Sequence, residues 1–155
     1  MHEALVPVDP SALAALAKFY ATLSRESLKD IAAVYADDVY FKDPFNEVRG
    51  IAAVHAVFAH MFEQVGDPRF VVHNNWTGSD GAMLAWDFMF ERGGAPMLIR
   101  GVSHVRFAAD GRVTYHRDYW DAAEELYAKL PVLGALMRFL RRRFNTQAFE
   151  STTNR

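Results

Sequence analysis

The sequence contains no cysteine. Disulfide staples and thiolate metal centres are therefore excluded, and the redox compartment is left open. Charge of one sign is not in excess: the formal net charge is −2, so no global field attracts nucleic acid or an acidic partner. No apolar run approaches ~20 residues, so no spanning helix is expected. Met1-His2-Glu3-Ala4 lacks the basic-then-apolar layout of a signal peptide, which leads to the expectation of a cytoplasmic protein. Internal repeats, low-complexity segments and interdomain linkers are also missing.

Aromatic side chains are plentiful. They make up 14% of the 155 residues, and twelve of them are Phe. One domain of this length can bury a real core, or line a cavity with large rings.

Asp9-Pro10 marks a helix start, followed by Leu13, Leu16, Tyr20 and Leu23 at helical spacing, with Phe19 alongside. Ser27 and Asp30 have capping-box spacing, and Leu28, Ile31 and Val34 give a second, short helix its stripe. Val39 to Lys42 reads as a strand, broken by Asp43-Pro44-Phe45-Asn46. A third helix runs from Gly50 through Val54, Phe58, Phe62 and Val65, and Gly66 and Pro68 close it.

From Arg69 the period changes from helical to two. Strands are expected at Phe70 to Trp76, Ala82 to Arg92, Ala95 to Ala108 and Arg112 to Trp120. Gly93-Gly94 is a tight-hairpin pair. Neighbours of this kind form an antiparallel meander most simply. Asp121 and Glu124 cap a further helix, which Pro131 interrupts; a second piece follows, crowded with Arg138, Arg141, Arg142 and Arg143.

The fold class is α+β. Three N-terminal helices pack on a strongly curved antiparallel sheet, a cone-shaped barrel with a C-terminal helical extension. The expected boundaries are an arm at 1–10, a domain at 11–121, the extension at 122–144 and a flexible tail at 145–155. Helices across one face of a curved sheet leave a hollow, which inward aromatics would line.

The stretches Ile31-Ala-Ala-Val-Tyr-Ala-Asp-Asp-Val39, Phe41-Lys-Asp-Pro-Phe45, Gly50 with its helix, and His104-Val-Arg-Phe107 followed by Asp110-Gly-Arg-Val113 keep a recognisable order and spacing. Over about Ala12 to Trp120 the chain resembles the ketosteroid isomerase-like superfamily, which shares the fold of nuclear transport factor two, in its SnoaL-like branch. The superfamily includes isomerases, polyketide cyclases, epoxide hydrolases, dehydratases and proteins with no chemistry. By this resemblance Asp43 stands where the steroid isomerases keep their general base. Phe19 falls where they keep a Tyr oxyanion donor, and Tyr20, one helical step of ~100° away, should point elsewhere. Ser103 falls where they keep a protonated Asp. Both donors are altered, which disfavours steroid-isomerase chemistry.

Period two puts His116, Asp118 and Trp120 on one face of the last strand, and by register with the superfamily that face looks into the hollow. The carboxylate and imidazole lie ~7 Å apart at the backbone and could share a substrate as acid and base. Asp43, Asp118 and His116 are the candidate catalytic groups. Phe19, Phe41, Phe58, Trp86, Phe88, Ser103 and Trp120 are the candidate substrate-facing residues. Each has a plainer reading. Asp43 could be a turn residue, Asp118 could pair with Arg100 or Arg117, and His116 could be a satisfied core histidine.

Neither metal nor cofactor is expected. His73 and His104 lack partners at metal spacing, and His55 and His60, five apart on a helix, do not share a face. The expected function is a cofactor-independent acid/base isomerase or cyclase acting on a hydrophobic small molecule. A non-catalytic binder of an apolar or lipid-like ligand, or a dimeric structural module, are the alternatives. A homodimer through the outer sheet face is expected, with Tyr40, Trp76, Asp87, Met89 and Tyr119 as its candidates. The arginine-rich helix reads as a lid, as a peripheral membrane or lipid contact through Arg138, Arg141, Arg142 and Arg143, or as a phosphate site. Nucleic acid is not an expected partner.

Overall fold

A computed structural model describes residues 6–127 and 131–144. The expected tail at 145–155, the first residues of the arm and the side chains of Arg141 and Arg143 lie outside the described residues. Two compact units result, one ending at Trp120 and one beginning at Asp121.

In the first unit, helix α1 spans Pro10–Ala21. Asp9 caps it, its Oδ1 accepting from the Ser11 backbone N–H at 2.8 Å. A 3-10 helix follows at Ser27–Ala33. Its start is not fixed by a Ser27–Asp30 capping box. Instead Ser24 and Ser27 exchange hydrogen bonds, each hydroxyl accepting from the other's backbone N–H at 2.8 and 3.0 Å. Seven residues with one buried Leu and one buried Ile do not sustain a longer α-helix. Helix α2 spans Ile51–Gln64 and buries Val54, Phe58 and Phe62.

Six strands form one sheet: β1 Tyr35–Lys42, β2 Glu47–Arg49, β3 Gly66–Gly78, β4 Gly81–Arg92, β5 Ala95–Phe107 and β6 Val113–Tyr119. Their order is β2-β1-β6-β5-β4-β3. The meander β3 to β6 is antiparallel, as expected. The sheet as a whole is mixed, however, because β1 lies parallel to β6. The meander's last edge is β6, and β1 adds there. The short strand β2 escapes a pattern search, since three residues show no period. It pairs back on β1, and Lys42 Nζ meets Glu47 Oε2 at 2.7 Å. Strand β1 begins at Tyr35 rather than Val39, because an irregularity between Tyr35 and Tyr40 breaks its alternation. Strand β3 starts at Gly66, through the Gly66-to-Pro68 stretch that the sequence offered as a helix stop. Register shifts also occur in β3–β4 and β5–β6, and such bulges bend a sheet.

Alternation assigns the two faces. Leu84, Trp86, Phe88 and Phe90 of β4 are all buried, opposite Ser103, Gly101, Ile99 and Met97 of β5. Leu13, Leu16, Phe58 and Phe62 of the helices join Val39, Phe41, Val105 and Val113 in one continuous core. Burying rings of this size stabilises by roughly 1.5–3 kcal/mol each. The opposite face carries Tyr40, Tyr115, His104, Met83 and Trp76.

The second unit contains helix α3 at Ala122–Glu125, capped by Asp121 Oδ1 accepting from the Glu124 N–H, and helix α4 at Pro131–Phe144. No helix among the described residues is long and apolar enough to cross a membrane.

Two glycines test the hairpins. Gly81 has φ +136°, and a Cβ there would lie 2.1 Å from the Val105 carbonyl oxygen. Gly94 has φ +77° and open space around it. Gly81→Ala is expected to lower stability by about 2–4 kcal/mol, and Gly94→Ala by only about 1–2 kcal/mol. Denaturant unfolding of the two variants checks the order, and equal losses would refute the close approach of β4 to β5.

Candidate active site

The last strand places His116 and Asp118 on the inner, apolar face, opposite Val105 and Ser103 of β5. An unpaired charge in such surroundings is costly. The structure solves this with partners rather than with solvent. His116 is fully buried, and the Asp118 side chain keeps 16% exposure.

Two arms of hydrogen bonds meet at Asp118. In the first, the Trp86 indole Nε1–H donates to Ser103 Oγ at 2.8 Å, and the Ser103 hydroxyl donates to Asp118 Oδ1 at 2.5 Å. In the second, His116 Nε2–H donates to the same Oδ1 at 2.7 Å. With a neutral imidazole, His116 Nδ1 then accepts from the Tyr35 hydroxyl at 2.9 Å. The Tyr35 oxygen in turn accepts from the Tyr20 hydroxyl at 2.6 Å. Among the described residues no hydrogen bond falls on Asp118 Oδ2, so this oxygen is the one available to a ligand.

Each link has a local cause. Trp86 lies across Gly101 on the neighbouring strand, where a Cβ would come within 2.3 Å of the indole. The missing side chain lets the ring lie flat and its N–H reach Ser103. Tyr35 enters from the irregular start of β1 and Tyr20 from α1. Burial is the main reason that both phenols are held well above their ordinary value near 10. For Tyr20 the adjoining Tyr35 phenol and then the Asp118 charge add to this, and the Asp43 carboxylate contributes least. For Tyr35 the bond from Tyr20 pulls the other way, and the Asp118 charge pushes up. Both are therefore neutral hydrogen-bond donors rather than bases or nucleophiles.

Asp43 stands outside this network. Its Oδ1 accepts from the backbone N–H of Phe45 and of Asn46 at 2.7 and 2.6 Å, and the Asn46 side-chain amide bonds both carboxylate oxygens. Three N–H donors on one oxygen make it a turn clamp between β1 and β2. Arg100 and Arg117 do not pair with Asp118. Alternation puts them on the outer face, where Arg100 stands opposite Asp87, and Arg117 stacks over Tyr119 at 4.8 Å.

The expected substrate-facing residues divide into groups. Phe19, Phe41 and Phe58 are buried with Tyr20 and Tyr35, and the Phe41 ring lies 5.0 Å from His116. Trp86 and Phe88 belong to a second cluster, with Trp120 at its edge and 5.4 Å from Phe45. Phe70, which the sequence reading passed over, connects the two. It lies 5.3 Å from Tyr20, 5.6 Å from Trp86 and stacked 4.4 Å from Phe88.

Tyr20 and Tyr35 are the members of the hydrogen-bond network that the sequence reading did not include among its site candidates. Phe19 and Tyr20 are both buried, their rings 5.9 Å apart and nearly perpendicular. Helix α1 presents an apolar arc wider than a single helical step. The signal was the unbroken pair Phe19-Tyr20 in an otherwise spaced pattern. For metal chemistry, no group of three or more His, Asp or Glu able to hold an ion occurs among the described residues.

Comparison with known proteins adds a family. The model of the SnoaL-like domain family matches residues 16–116. No curated protein matches the chain. Solved structures are similar in fold. A hypothetical protein with ketosteroid isomerase-like fold from Catenulispora acidiphila DSM 44928, in complex with trimethylamine, superposes with TM-score 0.65 at 15% identity, covering 80% of this chain and 96% of its own. A protein of Jannaschia sp. CCS1 described as a SnoaL-like polyketide cyclase gives TM-score 0.66 at 15% identity, covering 79% and 93%. An epoxide hydrolase of the LEH-like type from M. tuberculosis gives 0.63 at 20% identity, covering 85% and 94%. At such identities the likeness is one of fold.

The two buried phenols have a measurable consequence. The unfolded chain releases their protons near pH 10, and the folded chain holds them beyond it. Stability is therefore full below pH 10 and falls as pH rises above it, by about 1.4 kcal/mol per pH unit per tyrosine. The Tyr20→Phe, Tyr35→Phe double variant is expected to be less stable at neutral pH, with a clearly shallower alkaline decline. Urea unfolding at pH 8 to 11 checks this, and an unchanged slope would contradict it.

Proposed function

The chain belongs to the SnoaL-like domain family, and within it we propose a cofactor-independent acid/base catalyst for a hydrophobic carbonyl compound, working by isomerisation or cyclisation. The observation that carries the proposal is the convergence of two donor arms on Asp118 Oδ1, with Oδ2 left over. A carboxylate held this way can take a proton from a carbon beside a carbonyl through Oδ2. It can return that proton at another atom of the same substrate, so no cofactor is needed. Ser103 and the His116 N–H fix its orientation during both transfers. Phe70, Phe88 and Trp120 supply apolar surroundings on the side of the second cluster.

Steroid-isomerase chemistry fits poorly. Phe19 has no donor, and the Ser103 hydroxyl is already spent on Asp118. Epoxide hydrolysis would want an inward arginine between two carboxylates, whereas Arg100, Arg106 and Arg117 of β5 and β6 alternate to the outer face. Asp43 ranks below Asp118 because its carboxylate is committed to the turn.

The second reading is an apolar-ligand binder without chemistry. It is favoured by the self-sufficiency of the network: no buried side-chain nitrogen or oxygen among the described residues lacks a partner. The two separate by proton exchange. A panel of hydrophobic ketones, enones and β-keto esters is incubated in heavy water, and deuterium uptake beside the carbonyl is followed by NMR. Wild-type protein is expected to accelerate exchange for at least one member, Asp118→Asn to lose about 10³-fold of that rate, and Asp43→Asn to keep most of it. Binding of a panel member by wild type and Asp118→Asn alike, with no exchange in either, would leave the binder.

We also propose a homodimer through the outer sheet face, which exposes Trp76 by 53%, Tyr119 by 47% and Val71 by 41%. Apolar groups gathered on a sheet face favour association. Sedimentation equilibrium is expected to give twice the chain mass at micromolar concentration, and Trp76→Glu to give the monomer. A monomeric wild type would remove this part of the reading.

A further inference from the structure

Helix α4, Pro131-Val-Leu-Gly-Ala-Leu-Met-Arg-Phe-Leu-Arg-Arg-Arg-Phe144, contains four arginines and no acidic residue. The whole chain nevertheless has net charge −2, so the rest of it is acidic and this helix is a separate basic element. Its residues divide at helical spacing. Leu136, Phe139 and Leu140 stand at i, i+3 and i+4 on one stripe, while Arg138 and Arg142, four apart, share another. The apolar stripe is open: Leu136 is 51% exposed and Phe139 61%. Arg138 and Arg142 are exposed as well.

We propose that α4 is a membrane-surface helix for anionic bilayers, lying in the interface with Leu136 and Phe139 among the acyl chains. Three observations select this occupant. Its four arginines fall at 138 and 141–143 with no acid on the helix, which complements a negative lipid surface and repels the same helix of a second copy. Exposed apolar groups and arginines occur on the same helix, so one surface must satisfy both. Fourteen residues at 1.5 Å each reach about 21 Å, too short to cross a hydrocarbon core of about 30 Å but ample to lie along it. This inference does not depend on the chemistry assigned to Asp118.

The test uses the full chain and vesicles of phosphatidylcholine, alone or with about one-third phosphatidylserine. Co-sedimentation is expected to show at least ten-fold more protein on the anionic vesicles, with binding falling steeply as salt is raised. Arg138→Glu with Arg142→Glu is expected to reduce binding by roughly thirty-fold. Leu136→Asp with Phe139→Asp is expected to abolish it, and Asp118→Asn to leave it unchanged. Hydrogen exchange on the unmodified protein gives an independent readout, with vesicle-induced protection confined to 131–144. The proposal is overturned by absence of binding, by equal binding to both vesicles, or by protection elsewhere than α4. It is equally overturned if Leu136→Asp with Phe139→Asp halves the sedimenting mass while wild type ignores vesicles, since the stripe would then be a protein contact.

Discussion

One carboxylate oxygen organises the inner face of this protein. Asp118 Oδ1 receives the Ser103 hydroxyl and the His116 imidazole N–H, and both of these are buried on an otherwise apolar sheet. A charge placed there obliges the surrounding chain to supply donors, because a half-satisfied network in a low-dielectric interior costs more than none. The requirement spreads outward from residue to residue. Ser103 can donate to Asp118 only if its own oxygen is served by Trp86, and Trp86 can lie flat only because Gly101 has no side chain. His116 can donate through Nε2 as a neutral ring only if Nδ1 is served by Tyr35, which Tyr20 serves in turn. Groups from α1, β1, β4, β5 and β6 are thus tied to one atom.

The tie also fixes the division of labour among the polar groups. The phenols, pushed up by burial, stay protonated and act as donors at neutral pH. Their cost is desolvation, and their return is a fixed imidazole tautomer. Asp118 alone in the network keeps partial exposure. The arrangement leaves one carboxylate oxygen open to a ligand, whereas Asp43 spends its lone pairs on its own turn.

The sequence carried the long elements well and the tight ones poorly. Gly93-Gly94, both at positive φ, joins β4 to β5 as the dipeptide implies, and the alternation in β4 places Trp86 and Phe88 inward. His116 and Asp118 were legible for the same reason, being two residues apart on a regular strand. Tyr35 was not, because the irregular pairing of β1 with β6 breaks the period that would have displayed it. The parallel pairing itself follows from tertiary placement, which no local pattern encodes. Tyr20 was legible as part of the buried stripe of α1, but its hydrogen bond to Tyr35 depends on a strand far along the chain. Asp43 could be read from the sequence either as a turn residue or as a base, and its donors are those of a turn.

That contrast bears on how much a shared fold can say about chemistry. A shared fold supplies a frame for side chains without deciding their chemistry. It does not decide which of them carries the charge. Here Phe19 removes a donor and Tyr20 beside it restores a hydroxyl, but one directed at Tyr35 rather than outward. Ser103 replaces an acid with a donor that faces Asp118 and is consumed there. Together these side chains support a carboxylate at the end of β6. In this chain the turn after β1 binds its own carboxylate, and the hydrogen-bond network gathers at the end of β6.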